Sequence, residues 1–188
     1  MLVEPQAARF QIENTSDGFR AVIPAQRNWF AILFLIVWMG GWAFGEITVF
    51  RQLTNPNEKT PMAFLSFWLA FWTLGGAWAV ITALWQFVGR EIITANLSEL
   101  SRRIEIMSFG RTFTYRASEV RSLRTSDSSA NPFTSQQKFF PPFFGPQIGP
   151  IVFDYGAQTV RMGQSLEEAE AKLLIRELSS RLPRTAIE

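Results

Sequence analysis

Glu46 is the one charged residue inside a long apolar run, Trp29 to Phe50, and so the first place to look for chemistry. A carboxylate in that setting is a candidate proton carrier or contact for a polar partner. It also lies five residues, ~7.5 Å along a helix axis, from Arg51, so it could instead reach the polar boundary or pair with a loop cation. Little else looks reactive. The chain has no cysteine and no histidine, which excludes disulfides, thiolate nucleophiles, the usual zinc sites and histidine-ligated haem. The commonest general acid–base group is missing as well. No phosphate loop, metal-ligand spacing or nucleophile–base pair is apparent. The expectation is a chain with no catalytic residue, no cofactor and no metal.

Two residue sets point to binding instead. Residues 127–149, DSSANPFTSQQKFFPPFFGPQIG, lack helix or strand periodicity, and a loop of that length in a compact domain is usually functional or disordered. Disordered segments are poor in aromatics, yet this one holds Phe133, Phe139, Phe140, Phe143 and Phe144, stiffened by Pro141 and Pro142. These residues are the candidate partner or membrane contact, the alternative being that the rings fold back into the domain core. The second set is Arg102, Arg103, Arg111, Arg116, Arg121 and Arg124, which alternate along strand-like segments. They could meet anionic lipid headgroups, although the same alternation fits a solvated face. A net charge of +2 argues against nucleic acid as a partner. Arginine outnumbers lysine fifteen to three, a bias that a high-GC genome explains better than phosphate recognition does.

Long apolar elements must position these residues. Nearly half of the 188 residues are hydrophobic, and all seven tryptophans fall between Trp29 and Trp85. The 22 residues Trp29–Phe50 would reach ~33 Å as a helix, enough to cross the hydrocarbon core. Met62–Val88 is a second such run, and the polar linker RQLTNPNEKTP makes the pair a hairpin. The mixed-charge, strand-like residues before Trp29 do not read as a signal peptide. Arg9, Arg20, Arg27, Arg90, Arg102 and Arg103 flank the outer ends of the hairpin, against Arg51 and Lys59 in its loop. That asymmetry predicts both termini in the cytoplasm. Gly41 and Gly45 form a GxxxG step, and Gly75, Gly76, Ala79 and Ala83 a small-residue set, which together mark a candidate helix–helix contact.

The rest reads as β structure closed by a helix. RFQIEN and FRAVIP flank a turn at Asp17-Gly18. REIITAN, RRIEIMSF, RTFTYR and VRSLRTS follow the second run with a turn at Gly110, and PIVFDYG and QTVRMG form a hairpin about Gly156-Ala157. A helix over 165–182 is predicted from the Ser165–Glu168 capping box, from Pro183 after its end, and from Ala171, Leu174, Ile175, Leu178 and Leu182 on one face. The domains so defined are 1–27, a β-hairpin expected to join the later sheet; 28–88, the helical hairpin; and 89–188.

The strand, Gly110, Arg111-Thr112-Phe113-Thr114-Tyr115 and Ala117-Ser118-Glu119-Val120 sequence within residues 103–124 resembles bacterial pleckstrin-homology-like (PH-like) domains that follow paired membrane helices. The resemblance covers roughly residues 88–182, and a remoter one is to the photosystem I assembly factor family. Both place two spans before such a domain, and the first implies an α+β membrane protein of the bacterial cytoplasmic membrane, with an antiparallel β-barrel or sandwich capped by a helix. The strand hairpin before the first run departs from both, and if it joins the sheet the membrane hairpin is an insertion. The function expected is a non-catalytic interaction module, contacting the bilayer and other membrane subunits as accessory, scaffold or assembly factor. The alternative is a PH-like domain that binds anionic headgroups.

Overall fold

The computed structural model describes residues 9–15, 18–56, 61–126, 141–143, 148–183 and 186. Two strands precede the first helix, β1 (Gln11–Thr15) and β2 (Gly18–Pro24), and the alternation of β2 turns Phe19, Ala21 and Ile23 inward. Four residues later α1 (Trp29–Thr54) begins, and α2 (Met62–Val88) follows it antiparallel. Both helices are long and apolar enough to cross a membrane. Asn28 caps α1, its Oδ1 accepting from Ala31 N at 3.1 Å. Helix α1 runs four residues past Phe50, where the apolar run ends. Hydropathy marks where water begins, whereas Arg51, Gln52 and Leu53 are all competent to continue a helix.

Helix α2 passes into β3 (Gly89–Ala95) with no residue between them. Strand β3 pairs antiparallel with β2, Ile23 opposite Glu91 and Phe19 opposite Ala95. The helical hairpin is therefore an insertion between two neighbouring, hydrogen-bonded strands, and the N-terminal hairpin belongs to the same sheet as the strands after it. Strands β4 (Glu99–Ile106) and β5 (Phe109–Arg116) complete a five-stranded antiparallel sheet in the order β1-β2-β3-β4-β5. The β4–β5 turn is Met107-Ser108, not Gly110, which lies inside β5 opposite Glu105. A Cβ there would stand 2.2 Å from Ile104 O, so this glycine serves close backbone approach.

A 3-10 turn, Ala117–Glu119, leads to a second sheet of β6 (Val120–Thr125), β7 (Ile151–Tyr155) and β8 (Gln158–Met162). Gly156, φ +58°, supplies the β7–β8 turn. The two sheets do not close into a barrel, because among the described residues no ladder joins β5 to β6 or β1 to β8. They face each other across a shared core of Phe19, Ala21, Ile23, Ile93 and Leu100 from one sheet and Val120, Ile151, Phe153, Val160 and Met162 from the other. Helix α3 (Glu168–Ser179) adds Ala171, Leu174 and Leu178, with Leu182 beyond its end. Each large apolar side chain buried this way contributes about 1.5–3 kcal/mol.

The start of α3 differs from the sequence expectation. Its N-cap is Glu167, and the reciprocal box joins Glu167 to Glu170. Ser165, two residues earlier, is buried, and its Oγ accepts from Gln26 N at 3.2 Å. Glu170 also accepts from Arg9 N at 2.9 Å, so the box doubles as the anchor of the residues entering β1. Burial, the largest influence, disfavours the Glu170 carboxylate, but bonds from Arg9 and from the Glu167 backbone outweigh it and hold its pKa below the usual range.

Candidate interaction site

Three places gather the polar and aromatic groups. The first is the contact between α1 and α2. Trp42 Nε1 donates to Trp72 O at 2.9 Å, and Trp72 Nε1 donates back to Trp42 O at 3.2 Å. This reciprocal pair requires a flat bed on each helix, and glycine provides it. Gly76 lies under the Trp42 indole, and Gly45 lies in van der Waals contact with Trp72, 3.5 Å from where its Cβ would be. Ala79 is buried nearby. Gly41 and Gly75 have no atom of the other helix within 4 Å of a Cβ position, so they sit outside the contact. The contact is built from tryptophan laid on glycine, not from two glycine-lined backbones. Gly41 and Trp42 are adjacent in sequence, and one 100° step around the helix separates an open face from the buried one.

Glu46 meets α2, not Arg51. Its Oε1 stands 2.6 Å from the Thr73 hydroxyl, which is also 2.8 Å from Leu69 O. Its other oxygen, Oε2, is buried with no hydrogen-bond partner among the described residues. The outward faces of both helices are rich in exposed Phe, Leu and Trp side chains. Trp38, Phe64, Phe67, Trp68, Phe71, Trp72 and Gly75 line an apolar groove of about 300 Å³ between them.

The second place is the join between helices and sheets. Asn28 N donates to Gln86 Oε1 at 3.2 Å, and Ala25 N donates to Gly89 O at 2.9 Å, which closes the entrance to the hairpin. Trp85, in the last turn of α2, is 1% exposed and packs with Ala25, Ile104, Ile106 and Phe113. Phe143 meets it edge-on, with ring centroids 6.1 Å apart. Pro141 is buried, and Pro142 and Phe143 are half-buried, so this part of the aromatic loop packs on the domain. Phe133, Phe139, Phe140 and Phe144 lie outside the described residues.

The third place is the arginine set, which splits. Arg102 is not on a solvated face: it is 1% exposed and bonds Glu91 Oε1 at 2.6 Å. Glu91 also accepts from Gly163 N at 2.9 Å and from Gln164 N at 3.0 Å, which ties β3 to the end of β8. Sequence parity carries this signal, since Arg102 occupies the inward register with Leu100 and Ile104. Finding it needs the β3–β4 pairing, which places Glu91 opposite Ile104, next inward of Arg102 on β4. On the outer face, Arg90 and Arg103 both hold Glu105. Burial, the largest influence, works against that carboxylate, yet bonds from Arg103 and Arg90 keep its pKa below the usual range. Arg20, Arg90 and Arg103 line an open groove of about 520 Å³ on this face. Arg111 lies over the Phe113 ring at 4.9 Å, Arg116 pairs with Glu119, and Arg124 pairs with Asp154 at 2.8 Å. Among the described residues no group of three or more acidic side chains gathers where a metal ion could bind.

Fold and site together define a two-sheet α+β domain built around an apolar helical hairpin. No family model, curated protein or solved structure matches the chain.

Proposed function

We propose that this chain is a membrane-anchored, non-catalytic interaction module, serving as an accessory, scaffold or assembly subunit of a larger membrane complex. Helices α1 and α2 cross the bacterial cytoplasmic membrane, and the β domain stands on the cytoplasmic side with both termini. Two antiparallel sheets facing one core, with a C-terminal helix against it, support a PH-like reading of that domain. The observation that carries the functional reading is the join. Adjacent strands β2 and β3 continue into the two helices through four residues and none, with backbone bonds closing the entrance. A domain so tethered has almost no freedom to reorient, which suits a fixed docking surface at one height above the bilayer. The exposed aromatic faces of α1 and α2 support contact with further membrane helices.

Extraction from native membranes in a mild detergent tests this. The chain is expected to migrate with other proteins, well above the 21.4 kDa of one copy. Migration as a lone species in every mild detergent would refute the accessory-subunit reading. A second reading, headgroup binding by the domain, is favoured by Arg90 and Arg103. They share the single carboxylate of Glu105 beside the end of α2 and so keep net positive charge there.

A further inference from the structure

The β4–β5 turn combines three features that ordinary packing does not require. Met107 has φ +57°, a left-handed conformation where glycine or asparagine is the usual occupant. Its side chain is 63% exposed, and Phe109, two residues on, is 84% exposed. An apolar side chain kept at a strained, solvent-facing turn position points to use outside the chain's own core. The turn is also braced. Arg103 Nη2 donates to Ser108 O at 3.1 Å, and Ser108 N donates to Ile106 O at 2.9 Å.

Register fixes where this turn stands. Gly89, the first residue after α2, pairs with Ile106, the last residue of β4. Strand β4 runs antiparallel to β3, so the chain beyond Ile106 continues back alongside the last turn of α2. Ile104 and Ile106 pack with Trp85 of that turn, which holds the two elements together. The tip of the turn therefore stands level with Phe87 and Val88, themselves exposed. Arg111 lies opposite Ile104 one step back along the hairpin, and Arg90 and Arg103 lie on the adjoining outer face.

We infer that the β4–β5 turn is a membrane wedge: Met107 and Phe109 enter the interfacial layer of the bilayer beside α2, with the neighbouring arginines at headgroup phosphates. This rests on α1 and α2 crossing the membrane. The occupant is the lipid surface, because the turn is continuous with the end of an apolar helix and carries apolar tips with basic flanks, the pattern of interfacial elements. Leu97, in the β3–β4 turn, is 77% exposed at the opposite end of the same strands and serves as the control.

The chain has no cysteine, so Phe109→Cys and Leu97→Cys can each carry one environment-sensitive fluorophore. The full chain is reconstituted in vesicles of phosphatidylcholine and phosphatidylglycerol, with and without doxyl-labelled acyl chains. The dye at 109 is expected to emit further to the blue and to be quenched several-fold more by the doxyl lipid than the dye at 97. Equal, water-like emission at both positions, in chain that floats with the vesicles, would overturn the wedge and leave the anchor intact. A chain that does not float with the vesicles would overturn both.

Discussion

Gly76→Leu is expected to separate α1 from α2, while Gly41→Leu leaves their packing unchanged. A Cβ at Gly76 would stand 2.0 Å from Trp42 Cε2 and 2.1 Å from Cζ2. The indole cannot swing aside freely, because its Nε1 is bonded to Trp72 O, and Trp72 in turn is bonded to Trp42 O. Overpacking at a well-filled contact costs about 1–3 kcal/mol. Each interhelical indole bond lost adds about 0.6–2 kcal/mol. Nothing lies within 4 Å of a Cβ at Gly41, so a leucine there has room. Thermal unfolding in detergent, followed by circular dichroism, should show a clear drop in Tm for Gly76→Leu only. Equal losses, or none for either, would contradict the tryptophan-on-glycine contact.

The second large effect is expected at Glu91. Glu91→Ala removes the counter-charge of the buried Arg102 guanidinium, which keeps only Arg161 O as a partner among the described residues, and the acceptor of the Gly163 and Gln164 backbone N–H groups. A buried charge left alone destabilises by about 3–5 kcal/mol. The loss should fall on the join between the sheets, since Glu91 is in β3 and its backbone donors follow β8. Replacing both partners with methionine should recover only the part due to the stranded Arg102 charge, because the Gly163 and Gln164 N–H groups still lose their acceptor. Denaturant unfolding of the full chain in detergent measures both variants against the parent. A single Glu91→Ala variant as stable as the parent would mean that the pair is not held in the core.

How much of this was legible in the sequence depends on how local the cause is. The apolar runs of α1 and α2 and the alternating strands are local patterns, and they mark their elements to within a few residues. The stripe Ala171, Leu174, Leu178 likewise announced the buried face of α3, although the helix ends at Ser179 and Leu182 is buried beyond it. The exact cap did not follow: the sequence pattern points to Ser165, but Ser165 is drawn into the core by Gln26, far away in sequence, and Glu167, not a usual N-cap residue, takes its place. The helix contact was legible only in part: Gly45, Gly76 and Ala79 lie in it, whereas Gly41 and Gly75 do not. Gly41 and Gly45 satisfy a spacing rule, whereas the contact is decided by where the Trp42 and Trp72 indoles find a carbonyl on the facing helix. Arg102 reads as one of a surface series until strand pairing brings Glu91 to its side. Glu46 has a cation five residues away on its own helix, yet the antiparallel hairpin offers Thr73 first.

In the proposed arrangement α1 and α2 cross a membrane as a hairpin, with the sheets on the cytoplasmic side. Single cysteines introduced at Pro56, in the α1–α2 connection, and at Leu97, in the β3–β4 turn, test it most directly, since both positions are exposed and the chain has no other thiol. In intact cells a membrane-impermeant maleimide should label Pro56→Cys and leave Leu97→Cys unlabelled until the membrane is opened. Labelling of both from the same side would contradict the account.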